Sequence, residues 1–272
     1  MSAKQPLRVG LAGLGAIGLD VAKRLIDGEI DGMVLIAVAV RDADKARKAL
    51  PQLGDLVALR TTTTLANDCD IVVECLPPAL FRDIAISAID KGRIFMPLSV
   101  AQLLDHGDLV TRAKEKGARI LVPSGALLGL DAVRAAAEGN ITSVKMITRK
   151  PPTGLDGAPY LVKNGISVKN LKEPLKVFNG SAREGAKGFP TNVNVAAALS
   201  LAGIGPDKTQ LEIWADPSLT RNTHRIEVEA DAARFSMTIE GVPSANPRTG
   251  RLVAPSVMAA LRGLVSELKV GS

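Results

Sequence analysis

Hydrophobic and polar positions follow two different patterns along this chain, and the change falls near Pro123. Before it, short runs with no polar face ("LRVGLAG", "MVLIAVAV", "CDIVVECL", "RIFMPLS", "ARILVPS") are separated by segments of helical spacing. Those segments are "AIGLDVAKRLIDG", the short polar "ADKARKAL", "PALFRDIAISAIDKG" and "LLDHGDLVTRAKEKG". A strand without a polar face must be covered on both sides, as strands of parallel sheets are. Strand and helix in steady succession predict right-handed crossovers and a doubly wound α/β sheet.

Beyond Pro123 a helix, "LDAVRAAAEG", leads to "ITSVKMITRKPP" and then to a polar stretch rich in Gly and Pro, Thr153 to Gly165. The segment "TNVNVAAALSLAG" reads as helix, and three alternating strands follow: "TQLEIWAD", "HRIEVEAD" and "ARFSMTIEG". Alternation with one polar face predicts an antiparallel sheet open on one side to solvent or to a partner, which makes a homodimer the expected assembly. The last segment, "SVMAALRGLVSELK", is an amphipathic helix. Two domains are expected: residues 1–123 with the C-terminal helix 255–268 packing back on them, and a smaller α+β domain over 124–254 for substrate, catalysis and dimerisation.

Composition narrows the function classes. Aromatic residues are 3% of the 272, too few for the stacking surfaces of single-strand nucleic-acid binders. The net charge of +6 is spread without a long basic run, which favours anionic small molecules over a polyanion. Two cysteines, Cys69 and Cys75, cannot build a metal cluster, so no metal site is expected and both read as reduced thiols of an intracellular protein. The start of the chain lacks an export signal and its longest apolar run is too short for a bilayer, so a soluble cytoplasmic protein is expected.

Gly13, Gly15 and Gly18 in "GLAGLGAIGLD" form G-x-G-x-x-G between the first strand and the first helix, with Ala16 and Ile17 opening that helix. One glycine permits the tight turn, one lets backbone approach a pyrophosphate, and one allows close helix-to-strand packing. The helix N-terminus adds amide donors and a positive dipole. In this context the motif predicts a Rossmann-type domain binding NAD or NADP. At the end of the second strand Asp42 suits a ribose hydroxyl, or a cap on the next helix, and Arg41 suits a 2′-phosphate or the adenine face. The residues leave cofactor choice open.

"VPSGALLGLD", "TRKPP", "FPTNVNVAAALSLAG" and "ADPSLTRNTHRIEVEAD", in that order, resemble the L-aspartate dehydrogenase family over nearly the whole chain. The resemblance implies NAD(P)-dependent oxidation of L-aspartate to iminosuccinate or oxaloacetate plus ammonia, or the reverse, often feeding NAD biosynthesis. It also implies that Ala126 and Asn192 hold the nicotinamide end of the cofactor and that His224 is catalytic. Amino-acid oxidation must remove a proton from the ammonium and later bring water to the imine, and a histidine titrating near neutrality can serve both steps. A dicarboxylate also needs cations, and Arg149, Lys150 and Arg221 flank the matched motifs, where the alternatives are solvated loop residues and substrate ligands drawn from backbone or from hydroxyls such as Ser124 and Thr191. His106 reads as solvated. The other readings are an oxidoreductase on another small amino or imino acid, and a nucleotide-sensing protein without turnover.

Overall fold

The computed structural model describes residues 5–190, 193–242 and 250–271. They form two compact units: the chain up to Pro123 with Ala254–Lys269, and Ser124–Val253 with the final residues.

The first unit opens with β1 (Leu7–Ala12), α1 (Ala16–Ile26), β2 (Met33–Ala39), α2 (Ala43–Ala49) and the short β3 (Ala58–Arg60). It continues with β4 (Ile71–Glu74), α3 (Phe81–Asp90), β5 (Ile94–Pro97), α4 (Asp108–Lys116) and β6 (Arg119–Ile120). All six strands are parallel, in the order β3-β2-β1-β4-β5-β6. The chain builds outward from β1 through β2 to β3, then returns to lay β4 against the other side of β1, pairing Ala12 with Glu74. Strand order reverses there, and the crevice beyond the carboxyl ends of β1 and β4 is where sheets of this kind take ligands.

Val9, Leu11, Ile71, Val72 and Val73 are fully enclosed, as runs without a polar face require. α1 lays Val21, Ala22 and Leu25 on the sheet, the spacing of one helical face. Each fully buried Val or Leu side chain stabilises the unit by roughly 2 kcal/mol.

In the second unit come α5 (Leu130–Ala137), β7 (Ile141–Lys150), α6 (Pro159–Lys163), β8 (Leu175–Ser181) and α7 (Ala182–Gly188). They are followed by α8 (Asn194–Ala202), β9 (Gln210–Ala215), β10 (Asn222–Ala230) and β11 (Arg234–Gly241). The sheet order is β11-β10-β7-β9-β8. β10 and β11 are antiparallel as expected, but β9 runs parallel to β7, so the sheet is mixed. Alternation reports which faces are buried and carries no information on strand direction.

One face of this sheet holds Val144, Met146, Thr148, Lys150, Leu211, Ile213, Ala215, His224, Ile226 and Val228, all buried. α7 lies close enough that Gly185 faces Leu211, and a Cβ on Gly203, just past α8, would lie 3.2 Å from Val133 of α5 and 3.5 Å from Val144. The other face is polar: Lys145 pairs with Glu212 at 3.1 Å, Trp214 Nε1 donates to Glu212 at 3.1 Å, and the Arg149 guanidinium stands 4.9 Å from the Trp214 ring centre. Tyr160, Phe178 and Phe189 meet with ring centres 5.2 to 5.6 Å apart and fasten α6 to β8.

The chain closes with α9 (Val253–Arg262). Ala254, Val257, Met258 and Leu261 enter the same core as Val9, Leu35 and Val38, and Arg262 donates to the Glu29 carbonyl at 2.7 Å. The helix ends at Arg262, short of the expected residue 268, because Gly263 follows and the chain there turns.

Candidate active site

The three glycines of the turn after β1 serve three different ends. Gly13 adopts φ +96°, and a Cβ there would come within 2.6 Å of the Cys75 carbonyl. A Cβ on Gly18 would run into the Gly13 carbonyl. Both are therefore fixed by packing. Around Gly15 nothing lies within 4 Å of where a Cβ would sit, so packing does not demand a glycine. That space lies at the N-terminus of α1, whose first turn, opened by Ala16 and Ile17, has no acidic residue. Its first amides have no partner within the helix. Free space, amide donors and a positive helix end fit a dinucleotide's pyrophosphate. Gly15→Val is expected to raise the dissociation constant for NAD(P)H at least about tenfold, roughly 1.4 kcal/mol. The unfolding midpoint should stay unchanged, as titration of cofactor fluorescence and thermal melting would show.

Asp42 and Arg41 lie exposed after β2. Asp42 Oδ1 accepts from the Lys45 amide at 2.9 Å, so this residue caps α2. Capping uses one carboxylate oxygen.

Glu74, which ends β4, is fully buried. Its Oε1 accepts from the Leu76 amide at 2.7 Å and the Ser99 hydroxyl at 3.0 Å, and its Oε2 from the amides of Leu98 at 3.2 Å and Ser99 at 3.0 Å. One carboxylate thus ties together the chain leaving β4 and the chain leaving β5, at the ligand-binding end of the sheet. Burial raises its pKa above the usual carboxylate value, against the pull of these donors. Reading the sequence missed this residue; its only signal is a lone acid at the end of the apolar "DIVVE".

In the second unit His224 is the third residue of β10, opposite Thr148 of β7. The Thr148 hydroxyl and His224 Nδ1 are 3.0 Å apart. If Nδ1–H donates to Thr148, Nε2 is left as an acceptor. The ring is 4% exposed, and burial, with a smaller push from the charge of Lys150, lowers its pKa to about 3. Burial therefore favours the neutral imidazole and moves the ring below the near-neutral titration expected of it.

The three candidate cations separate clearly. Lys150 shares the buried face with Thr148 and His224, is 5% exposed, and is lowered by burial to about pH 8. Arg149 points to the opposite face, paired with Asp216 at 3.2 Å. Arg221 is exposed ahead of β10. Ala126 is half-buried in the turn from Ser124 to Leu127, well beyond the end of β6, and Ser124 is exposed. Asn192 and Thr191 lie outside the described residues. His106 precedes α4, half-buried and stacked on Phe81 with ring centres 6.0 Å apart, so it is packed where a solvated ring was expected.

Among the described residues no group of three or more His, Cys, Asp or Glu side chains could hold a metal ion, and no helix is long and apolar enough to cross a membrane. Both cysteines are free thiols, and burial pushes Cys69 up to about 12.

Residues 131–264 match the family model for the C-terminal domain of aspartate dehydrogenase, and residues 13–123 that for the NAD-binding domain of homoserine dehydrogenase. The chain is 54% identical to an L-aspartate dehydrogenase of Bradyrhizobium diazoefficiens over 271 residues, covering 100% of this chain and 96% of the relative. It is 51% identical to L-aspartate dehydrogenase 3 of Bordetella bronchiseptica, with both chains covered in full. Among solved structures it resembles the aspartate dehydrogenase of Thermotoga maritima, with TM-score 0.76 and 26% identity over 97% of this chain and 99% of that one. A homoserine dehydrogenase of Thiobacillus denitrificans shares the fold, with TM-score 0.61, 17% identity, and 97% and 75% of the two chains covered.

Proposed function

The chain belongs to the L-aspartate dehydrogenase family, and on that premise we propose that it oxidises L-aspartate with NAD or NADP, or runs the reductive amination in reverse. Iminosuccinate, hydrolysing to oxaloacetate, and ammonia are the products. The observation that carries this reading is full-length identity of 54% to an L-aspartate dehydrogenase, a match that spans both the glycine turn and the β10 histidine. The bound nicotinamide supplies the hydride acceptor or donor; everything else falls to the protein's own groups. The α1 turn at Gly13, Gly15 and Gly18 would hold the pyrophosphate, and Ala126 and Asn192 the nicotinamide end. His224, held by Thr148 and kept neutral, offers Nε2 as the hydrogen-bond acceptor that orients the water attacking the imine carbon. Such an enzyme would act in the cytoplasm, supply NAD biosynthesis and pair as a homodimer through the polar face of its mixed sheet.

The test is direct. Purified protein with L-aspartate and either cofactor at alkaline pH should generate the absorbance of the reduced nicotinamide. Turnover of another small amino acid in preference to aspartate would move the substrate assignment. Cofactor binding with no reaction in either direction would remove the enzymatic reading.

A further inference from the structure

Oxidation at Cα requires the substrate nitrogen to be an amine, because its lone pair becomes the second bond of the imine. An amino acid arrives as an ammonium ion, so some base must take that proton. Resting on the aspartate-oxidising reading, we propose that Lys150 is this base, a catalytic residue separate from His224.

The geometry starts with the sheet. Lys150 and Thr148 alternate with Arg149 on β7, so both point to the buried face while Arg149 points away. His224 faces Thr148 across the strand pair, which makes Lys150 its diagonal neighbour. Such neighbours lie about 7–8 Å apart at the backbone, within reach of a long side chain. The charge of Lys150 is felt at the imidazole.

Among the described residues of this unit, the buried titratable groups are Lys150, His224 and Asp216. The Asp216 carboxylate, which follows β9, is taken up by Ser218 Oγ at 2.6 Å and Arg149 at 3.2 Å. With a pKa near 3, His224 would accept an ammonium proton only far uphill. Lys150, near 8, is matched to the task at mildly alkaline pH. The step balances simply: an N–H bond of the substrate ammonium breaks, an N–H bond forms at Lys150 Nζ, and the substrate nitrogen keeps the electron pair. In the reductive direction Lys150 returns the same proton.

Lys150→Met and Lys150→Ala in the full chain test this. In the wild type, kcat/KM for L-aspartate should rise with pH through about 8, as Lys150 becomes neutral. In the reductive direction it should fall over the same range. Lys150→Met should lose about 10²–10⁴-fold in kcat/KM together with the limb near pH 8, while binding reduced cofactor as the wild type does. Ethylamine and other primary amines should restore part of the activity of Lys150→Ala in proportion to their basicity, which a merely structural lysine would not allow. A Lys150→Met enzyme within about threefold of wild type and keeping the same limb would overturn the proposal.

A second readout needs no turnover. The chain has only two histidines, so the His224 ring proton can be followed by NMR. Its midpoint should move upward in Lys150→Met; an unmoved midpoint would also overturn the proposal. If the wild type fails to oxidise aspartate at all, the substrate reading falls, and the NMR titration still decides whether Lys150 and His224 act as a pair.

Discussion

Replacing His224 by glutamine is expected to lower kcat for aspartate by about 10²–10⁴-fold and to leave cofactor affinity within about twofold. Glutamine keeps a polar group opposite Thr148 but offers no basic nitrogen. The glycine turn belongs to the other unit and is untouched. Stability should also change its pH dependence. The ring binds a proton near 6.5 when unfolded and near 3 when folded, so between these values the unfolded chain holds more protons. The contribution of His224 is complete above about pH 6.5 and drains away as pH falls toward 3, at about 1.4 kcal/mol per pH unit and about 5 kcal/mol in all. Urea unfolding of wild type and His224→Gln at pH 7 and pH 5 measures the difference. Equal slopes against pH would mean that the ring is solvated.

The second large effect is expected at Glu74. Leucine there strands the amides of Leu76 and Ser99 without their acceptor, while the Leu98 amide keeps the Glu74 backbone carbonyl at 3.0 Å and the Ser99 hydroxyl keeps the Leu76 carbonyl at 3.3 Å. Each unsatisfied buried donor costs about 1–3 kcal/mol, and partial relaxation leaves a net loss of about 2 kcal/mol or more. Cofactor affinity should fall with it, because the segments leaving β4 and β5 lose their common anchor. Glutamine should recover part of both, since its single carbonyl oxygen can serve only one side of the clamp. A Glu74→Leu protein that melts within a degree or two of wild type and titrates cofactor normally would show the clamp to be idle.

Most elements of the first unit could be read from sequence because doubly covered strands and amphipathic helices write strong periodic signals. β3 could not, being three residues at the sheet edge, where "LVAL" is too short an apolar run to tell from a loop. β8 and α7 leave little periodic trace because "LKVFNGSAREGAKG" mixes glycines and charges. Yet α7 announces itself through Ser181 and Glu184, whose side chains cap each other's amides. The parallel run of β9 beside β7 depends on where the intervening chain travels, which local pattern does not encode. At the candidate site the glycine turn and His224 stood out as motif and as rarity. Thr148 and Glu74 did not, since a threonine among β-branched neighbours and one acid closing a strand look ordinary until their partners, distant in sequence, are in place. Lys150 and Arg149 looked equivalent as adjacent cations; strand alternation sends them to opposite faces.

The packing of α9 into the first core has a consequence for how the molecule is made. Val257, Met258 and Leu261 leave the ribosome only after the whole second unit, and they fill space beside Val9 and Leu35, which leave before it. The nucleotide-binding layer therefore waits, unfinished, while the whole intervening unit is synthesised. Nascent chains halted before α9 would carry an open apolar seam, the kind of surface that chaperones hold and proteases find.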